Sequence, residues 1–285
     1  MYNNILVAFD GSEFSKAALV EASNWIKRHG GKIIMVHAVY FDEEEFVIAP
    51  EQREKRFEVG RNICYQTMQN VSSEFNIEVE SIICEGEPPD VIIDIAKEKK
   101  IELISMGTYG SKGFKRLIIG SVTSKVILNA PCDVMVVKRL SSECKGEYKS
   151  ILVPFDGSQF SKKALERACD LSKVDPAEIT VLYVIPRYEE MIEFFMTDSI
   201  RRAMLDEANR ILDAAMAIAK EKGVTISATI KEGHAADNII ETAEMLKNDL
   251  VIIGTYGWKG VSRAIMGSTT ERVIMNASCP VLAVR

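Results

Sequence analysis

The sequence predicts an α/β protein built from two copies of one domain, each a five-stranded parallel sheet with helices on both faces. Two observations carry this prediction. Short apolar segments rich in Ile and Val alternate with amphipathic stretches, which is typical of a doubly wound, Rossmann-like sheet. The segment Ile5–Ser12 also returns as Ile151–Ser158, and Gly107–Gly110 returns 147 residues later as Gly254–Gly257. Such a period indicates a duplicated domain, because solenoid units run to only about 20–50 residues.

Size and composition agree with two globular domains. The 285 residues are 47% hydrophobic and 27% charged, and the net charge of −6 argues against binding to nucleic acid or to an anionic membrane surface. No apolar run approaches the roughly 18 residues of a membrane span, and the N-terminus lacks the basic region of a signal peptide. The six cysteines form no CxxC pair, which favours reduced thiols. We therefore expect a cytoplasmic protein.

The first copy is predicted to cover residues 1–139. Its strands are predicted near residues 5–9, 32–38, 77–83, 102–106 and 133–138, and its helices near 15–29, 51–75, 89–99 and 121–129. The first helix places Ala18, Ala22, Trp25 and Ile26 on one face, as a helix packed on a sheet requires.

The second copy is predicted to cover residues 149–285, after a polar linker at 140–148 that lacks periodicity. Its strands are predicted near residues 151–155, 178–184, 224–230, 249–253 and 280–284. A long helix near 190–221 puts Ile211, Ala215, Ile218 and Ala219 at core spacing. Ligands of such sheets bind at the carboxyl ends of the strands.

A glycine-spaced loop follows the fourth strand of each copy. In the first copy Gly107 and Gly110 follow Met106, and Gly120-Ser121 comes nine residues later; the second copy repeats this as Gly254, Gly257 and Gly267-Ser268 after Ile253. Glycine at these positions can take positive φ and lets a bulky anion approach the backbone. The Gly-Ser pairs open a helix, whose first amides attract phosphate. The loops also share the cations Lys112/Lys259 and Arg116/Arg263. The alternative is that these glycines only shape turns.

A second repeated motif follows the first strand. It reads Asp10-Gly11-Ser12 in the first copy and Asp156-Gly157-Ser158 in the second. The aspartates could accept a hydrogen bond from an adenine amine or a ribose hydroxyl. Equally, Asp-Gly-Ser is a common turn in which the serine is the helix N-cap, and the motif alone favours that interpretation.

These residues resemble the universal stress protein family, here as a tandem member in which the resemblance covers residues 3–138 and 149–285. The resemblance implies a fold similar to the adenine nucleotide alpha hydrolases and binding of ATP or AMP, which Mg²⁺ can accompany. It implies nucleotide contacts at Ala8, Asp10, Gly11, Ser12, Ala38, Met106, Gly107, Gly110, Gly120, Ser121, Val122 and Thr123. In the second copy the implied contacts are Pro154, Asp156, Gly157, Ser158, Val184, Ile253, Gly254, Gly257, Gly267, Ser268, Thr269 and Thr270.

The copies depart from each other in two places that bear on affinity. The residue two before the aspartate is Ala8 in one copy and Pro154 in the other, the latter closer to the family habit. Val122-Thr123 in the first copy is Thr269-Thr270 in the second. The resemblance also implies an intramolecular pseudo-dimer through the last strands, Val134–Lys138 and Val281–Arg285. Pairing of two whole chains as a homodimer is left open.

The resemblance favours a nucleotide-binding regulator of stress responses or signalling. Two alternatives stay open: a nucleotide-independent interaction module, and an ATP-using hydrolase or adenylating enzyme. Only the aspartate repeats as a candidate base, so no catalytic residue is assigned, and slow ATP hydrolysis is left open. His37 is expected to be a hydrogen-bonded core or rim residue, His29 suits a helix C-terminus, and Glu87 replaces His234 in the first copy. No metal site is predicted.

Overall fold

The structure is a computed structural model that describes residues 2–41, 50–108, 119–138, 140–186, 198–255 and 266–285. The chain divides into two compact units, Tyr2–Glu147 and Tyr148–Arg285, called here the first and second domains.

In the first domain, strands and helices alternate from the N-terminus onward. They are β1 (Asn4–Ala8), α1 (Glu13–His29), β2 (Lys32–Val39), α2 (Pro50–Phe75), β3 (Glu78–Glu85), α3 (Pro88–Glu98), β4 (Leu103–Gly107), α4 (Ser121–Asn129) and β5 (Asp133–Val137). The five strands are parallel and lie in the order β3-β2-β1-β4-β5. Helices α1 and α2 contact each other, as do α3 and α4, so a pair of helices covers each face of the sheet.

The second domain repeats this architecture. Its elements are β6 (Ser150–Pro154), α5 (Gln159–Val174), β7 (Glu178–Pro186), α6 (Asp198–Glu221), β8 (Ile226–Gly233), α7 (Ala235–Met245), β9 (Leu250–Gly254), α8 (Ser268–Asn276) and β10 (Val281–Val284). Its parallel strands lie in the order β8-β7-β6-β9-β10. The predicted α/β class is therefore confirmed, with β8 shifted toward the C-terminus relative to the predicted 224–230.

The central strands are buried because helices cover both faces of each sheet. Ile5, Leu6 and Val7 of β1 are all 0% exposed, as are Leu152 and Val153 of β6. Alternation between buried and exposed positions is lost in such strands, which explains why they read as continuous apolar runs in the sequence. These strands form the rigid part of each domain from which the loops of the site extend.

The residues at which helix α1 begins and ends are those that commonly begin and end helices. Ser12 is its N-cap, Lys27, Arg28 and His29 occupy its last turn, and Gly30 ends it with φ of 78°. Basic residues in the last turn complement the helix dipole, and glycine accepts the positive φ. The predicted core face is confirmed, since Ala18, Ala22, Trp25 and Ile26 are all buried.

Helix α6 packs on the second sheet through a different set of residues from the one predicted. Ala215 and Ala219 are buried as expected, but Ile211 and Ile218 are half-buried. Ala208 and Leu212 complete the buried stripe, so the predicted face is confirmed in part. The predicted start of this helix near residue 190 lies outside the described residues.

The segment after β5 contacts helix α1. Ser141–Glu143 forms a short 3-10 turn, and Cys144 behind it is buried. The side chain Nδ2 of Asn24 donates to the Cys144 carbonyl at 2.8 Å. Gly146, with φ of 58°, approaches the backbone of Trp25 too closely for any side chain to fit. Although its composition is polar, this segment therefore packs against helix α1 of the first domain.

Candidate functional site

In each domain the order of the strands reverses next to the first strand, and a crevice is expected there. From β1 the chain proceeds to β2 and β3 on one side and then returns to β4 on the other side of β1. In an open α/β sheet, the loops that leave two such neighbouring strands diverge and leave a crevice at their carboxyl ends. In the second domain the corresponding strands are β6 and β9. Both repeated motifs of the sequence lie at these strand ends.

The Asp-Gly-Ser motif forms the same turn in both domains. The amide of Ser12 donates to Asp10 Oδ1 at 3.0 Å, and Gly11 has φ of 79°. In the second domain the amide of Ser158 donates to Asp156 Oδ1 at 3.0 Å, and Gly157 has φ of 80°. The turn interpretation of this motif is confirmed, and glycine is required because few side chains tolerate this φ.

The serine of each motif caps the helix that follows. Ser12 Oγ accepts from the Ser15 amide at 3.2 Å, and Ser158 Oγ accepts from the Ser161 amide at 3.2 Å. Each contact satisfies one backbone amide that has no partner within the helix. The predicted N-cap role of both serines is confirmed.

Alanine at either cap is expected to cost stability. Ser12→Ala and Ser158→Ala should each lower the free energy of unfolding by about 1 kcal/mol, because an amide of the first turn loses its acceptor. Denaturant unfolding of the full chain measures this. The control is Ser121→Ala, since Ser121 is exposed and lies inside its helix at the first position. A cap variant as stable as the control would contradict the assigned role.

Gly107 and Gly254 are needed where the first helix of each domain crosses a neighbouring strand. A β-carbon on Gly107 would lie 2.6 Å from Phe14 Cβ and 2.9 Å from the Phe14 carbonyl carbon. On Gly254 it would lie 2.7 Å from Phe160 Cβ and 2.8 Å from the carbonyl carbon of that residue. Real β-carbons do not approach other carbons so closely, so these positions are required to be glycine by packing.

The four described glycines of the glycine loop do not use the positive φ that glycine permits. Positive φ occurs at Gly11 and Gly157 but not at Gly107, Gly120, Gly254 or Gly267. Gly120 has φ of −57° and Gly267 has φ of −59°, which any residue can adopt. The physical reason for Gly107 and Gly254 is therefore steric. The other two glycines of the motif, Gly110 and Gly257, lie outside the described residues, as do the loop cations Lys112, Arg116, Lys259 and Arg263.

The helix after the glycine loop begins without a side-chain cap in both domains. Gly120 is the N-cap of α4 and Gly267 is the N-cap of α8, and neither helix has a side-chain hydrogen bond at its cap. The amides of the first turn, which include Ser121 and Ser268, have no carbonyl partner within the helix. Both serines are exposed. Each helix thus presents amides without a partner inside the helix, together with the positive end of its dipole, at the carboxyl ends of the strands.

Threonine hydroxyls hold this helix start against the strand end. Thr123 Oγ1 donates to the Gly107 carbonyl at 3.0 Å, and Thr270 Oγ1 donates to the Gly254 carbonyl at 2.9 Å. Both threonines are buried. Their hydroxyls therefore position the helix, which leaves the backbone amides as the groups available to a ligand.

The remaining predicted positions surround the same strand ends. Met106 and Ile253 are 3% and 5% exposed, so their side chains belong to the core. The others are half-buried, namely Ala8, Ala38, Val122, Pro154, Val184 and Thr269. Ala38 lies in β2 beside Cys84 of β3, and Val184 lies in β7 beside Lys231 of β8. A ligand in the crevice can reach these half-buried positions without disturbing the core.

Sequence reasoning missed the residues that follow each capping serine. Phe14 and Phe160 pack against the strand glycines, and Ser15 is buried with its Oγ accepting from the Asp10 amide at 3.3 Å. The signal was present, because Ser12-x-Phe14-Ser15-Lys16 recurs as Ser158-x-Phe160-Ser161-Lys162. A repeat that extends past the turn indicates that the first helical turn belongs to the site.

His37, His29 and Cys64 are explained by hydrogen bonding, ring contact and burial. His37 Nδ1 lies 2.9 Å from the Phe9 carbonyl, as expected of a hydrogen-bonded rim residue, and His29 lies in the last turn of α1 with its ring 4.2 Å from that of Trp25. The six cysteines, all of which lie in the described part of the chain, form no disulfide. Burial raises the pKa of the Cys64 thiol to about 11, which makes it a poor nucleophile at neutral pH.

Among the described residues, no cluster of three or more His, Cys, Asp or Glu side chains could hold a metal ion. In the same part of the chain, no helix combines the length and the apolar composition needed to cross a membrane.

The fold is a tandem of two doubly wound α/β domains. At the point where the strand order of each domain reverses (its switch point), an Asp-Gly-Ser turn caps one helix, and a second helix begins without a side-chain cap. The model of the universal stress protein family matches this chain twice, over residues 1–138 and 147–285. The chain belongs to the universal stress protein family, which confirms the resemblance seen in the sequence.

Known relatives agree with this assignment. Universal stress protein MJ0531 of Methanocaldococcus jannaschii is 36% identical over 140 residues, which are 48% of this chain and 82% of the relative. Universal stress protein YxiE of Bacillus subtilis is 32% identical over 148 residues, 48% of this chain and 99% of that protein. A crystal structure of a universal stress protein from Archaeoglobus fulgidus superposes with a TM-score of 0.75 at 22% identity, over 99% of this chain and 96% of that one. The last comparison supports the tandem fold.

Proposed function

We propose that each domain binds one adenine nucleotide, ATP or AMP, and that binding makes the chain a regulator of stress responses or signalling. The observation that carries this proposal is the uncapped start of α4 and of α8 at the two switch points. An exposed helix N-terminus with unpaired amides favours a phosphate group. That both domains keep this arrangement beside the Asp-Gly-Ser turn supports a binding role in each.

The ligand would lie along the carboxyl ends of the strands. Its phosphates would accept from the first-turn amides of α4 and from the Ser121 hydroxyl. The base and ribose would lie toward Asp10 and Ala38, on the β2 side of β1. The half-buried side chains there offer a partly apolar surface, as base-binding pockets usually do. Where ATP is bound, Mg²⁺ can accompany its phosphates, which would hold it with few protein ligands.

The proposal is tested on the full chain purified without denaturation. Nucleotide released by subsequent denaturation is identified by chromatography, and the emptied protein is titrated with ATP and with AMP by calorimetry. We expect close to two equivalents of nucleotide per chain. Binding should also raise the melting temperature, because a ligand at 100 times its Kd adds about 2.7 kcal/mol of stability.

The rival function is a nucleotide-independent interaction module. One observation favours it: packing against Phe14 and Phe160 accounts for Gly107 and Gly254 without any ligand. Absence of released nucleotide, together with no heat and no thermal shift at high ATP concentration, would establish this rival. An enzyme has no such support, since the described site residues include no buried acid–base pair. ATP turnover by the purified chain would support an ATP-using enzyme instead.

We also propose, following the family resemblance, that the halves pair through their last strands, β5 (Asp133–Val137) and β10 (Val281–Val284). Each strand is the last of its domain and is strongly apolar, and an exposed apolar edge invites association. Hydrogen exchange on the full chain tests this. We expect every amide of both strands to exchange slowly. Fast exchange at alternate residues would show unpaired edges and contradict the pairing.

A further inference from the structure

We propose that Ile63, on helix α2, contacts the base of the nucleotide in the first domain. None of the repeated motifs includes this residue or its helix. The inference rests on the proposed nucleotide binding and adds to it a residue that separates nucleotides from other phosphate compounds.

Helix α2 lies directly on the carboxyl end of β2. A β-carbon on Gly60 would be 3.0 Å from Cδ2 of His37 and 3.7 Å from Cγ2 of Val39. The absence of a side chain at Gly60 therefore lets the helix come close to the strand end. His37 is itself tied to the end of β1 through the 2.9 Å contact between its Nδ1 and the Phe9 carbonyl. These contacts fix α2 beside the crevice.

Ile63 lies one turn further along α2, over the Asp-Gly-Ser turn. Its Cγ2 is 3.9 Å from the position that a β-carbon on Gly11 would occupy, which is an ordinary van der Waals distance. Ile63 is nevertheless 45% exposed, whereas Gly60 and Cys64 on the same helix are buried. A large apolar side chain is thus held at the edge of the site with much of its surface in water. A ligand that covered this surface would gain binding energy from its burial.

The order of the strands indicates which part of the nucleotide lies there. The first-turn amides of α4, which suit the phosphates, follow β4, and α2 follows β2 on the other side of β1. Adjacent strands are about 4.8 Å apart, so β4 and β2 are separated by about 10 Å. A nucleotide with its phosphates at α4 would therefore reach toward Ile63 with its base. Because an apolar contact is not directional, Ile63 would favour nucleotides over bare phosphates without selecting one base.

The test is Ile63→Ala in a full chain that also carries Ser268→Asp, which weakens the second site. We expect ATP affinity to fall about three- to tenfold, since part of an isoleucine surface is no longer buried. The heat-capacity change of binding, measured by calorimetry at several temperatures, should become less negative. Competition by inorganic tripolyphosphate should be unchanged, because that ligand has no base.

The matched control is Tyr65→Ala on the same helix. Tyr65 is 55% exposed and lies two residues beyond Ile63, about 200° around the helix. This variant removes more apolar surface, and we expect it to leave ATP binding unchanged. Unchanged affinity and heat capacity in Ile63→Ala would overturn the inference, and so would an equal loss for tripolyphosphate. Failure of the parent chain to bind ATP would instead remove the proposed function.

Discussion

Replacement of Gly107 by alanine is expected to destabilise the first domain by about 3 kcal/mol, at the upper end of what overpacking costs. The new β-carbon would meet both Cβ and the backbone carbonyl carbon of Phe14, at 2.6 and 2.9 Å. Backbone at the start of a capped helix cannot move aside as a flexible side-chain end can. Helix α1 would have to shift away from β4, which lies beside the central strand of the sheet. Denaturant unfolding of the full chain measures the loss, and hydrogen exchange in α1 and β4 locates it.

Two further variants make this result specific. Gly254→Ala should destabilise the second domain by a similar amount, because Phe160 is as close to it as Phe14 is to Gly107. Gly267→Ala should cost much less, about the 1 kcal/mol of a poorer N-cap residue, because its β-carbon would come no nearer than 3.7 Å to another atom and its φ of −59° suits alanine. If Gly107→Ala kept full stability but lost ATP binding, the glycine would serve the ligand and the packing explanation would be wrong.

Aspartate in place of Ser121 is expected to weaken nucleotide binding in the first domain by about 30-fold. A carboxylate about 5 Å from a phosphate charge costs about 3 kcal/mol at an effective dielectric constant of about 20, and salt reduces this to about 2 kcal/mol. The same substitution should not harm folding, because an acid in the first turn stabilises a helix by about 0.3–1 kcal/mol. Loss of affinity with unchanged or raised stability separates a ligand site from a structural one. Calorimetric titration with ATP measures the effect.

Each domain supplies its own controls for this experiment. Ser268→Asp should weaken the second site alone, so either variant should leave about one tight site per chain. Asn129→Asp adds the same charge at the last residue of α4, about 12 Å away and beyond the Debye length of about 8 Å at physiological salt. We expect less than a twofold change there. Equal weakening by Asn129→Asp would show that only the net charge of the protein matters. Full ATP binding by Ser121→Asp would show that the start of α4 is not part of the nucleotide site.

Local residue patterns were enough to predict several features of this protein. The duplication, the alternation of strands and helices, the capping roles of Ser12 and Ser158 and the turns at Gly11 and Gly157 all follow from residues close together in the chain. Hydrophobic periodicity and cap chemistry act over a few residues, so they can be seen without a structure. The core face of α1 was predicted for the same reason.

Contacts between residues far apart in the chain could not be predicted in this way. Phe14 is the residue that requires glycine at position 107, and the Thr123 hydroxyl donates to the Gly107 carbonyl. Ile63 lies over the turn at Gly11. The buried face of α6 overlaps the predicted one only at Ala215 and Ala219, because apolar residues occur on two neighbouring faces of this helix and only packing selects one. Such contacts are set by how closely two elements approach, and that distance is a property of the packed domain that no local pattern contains.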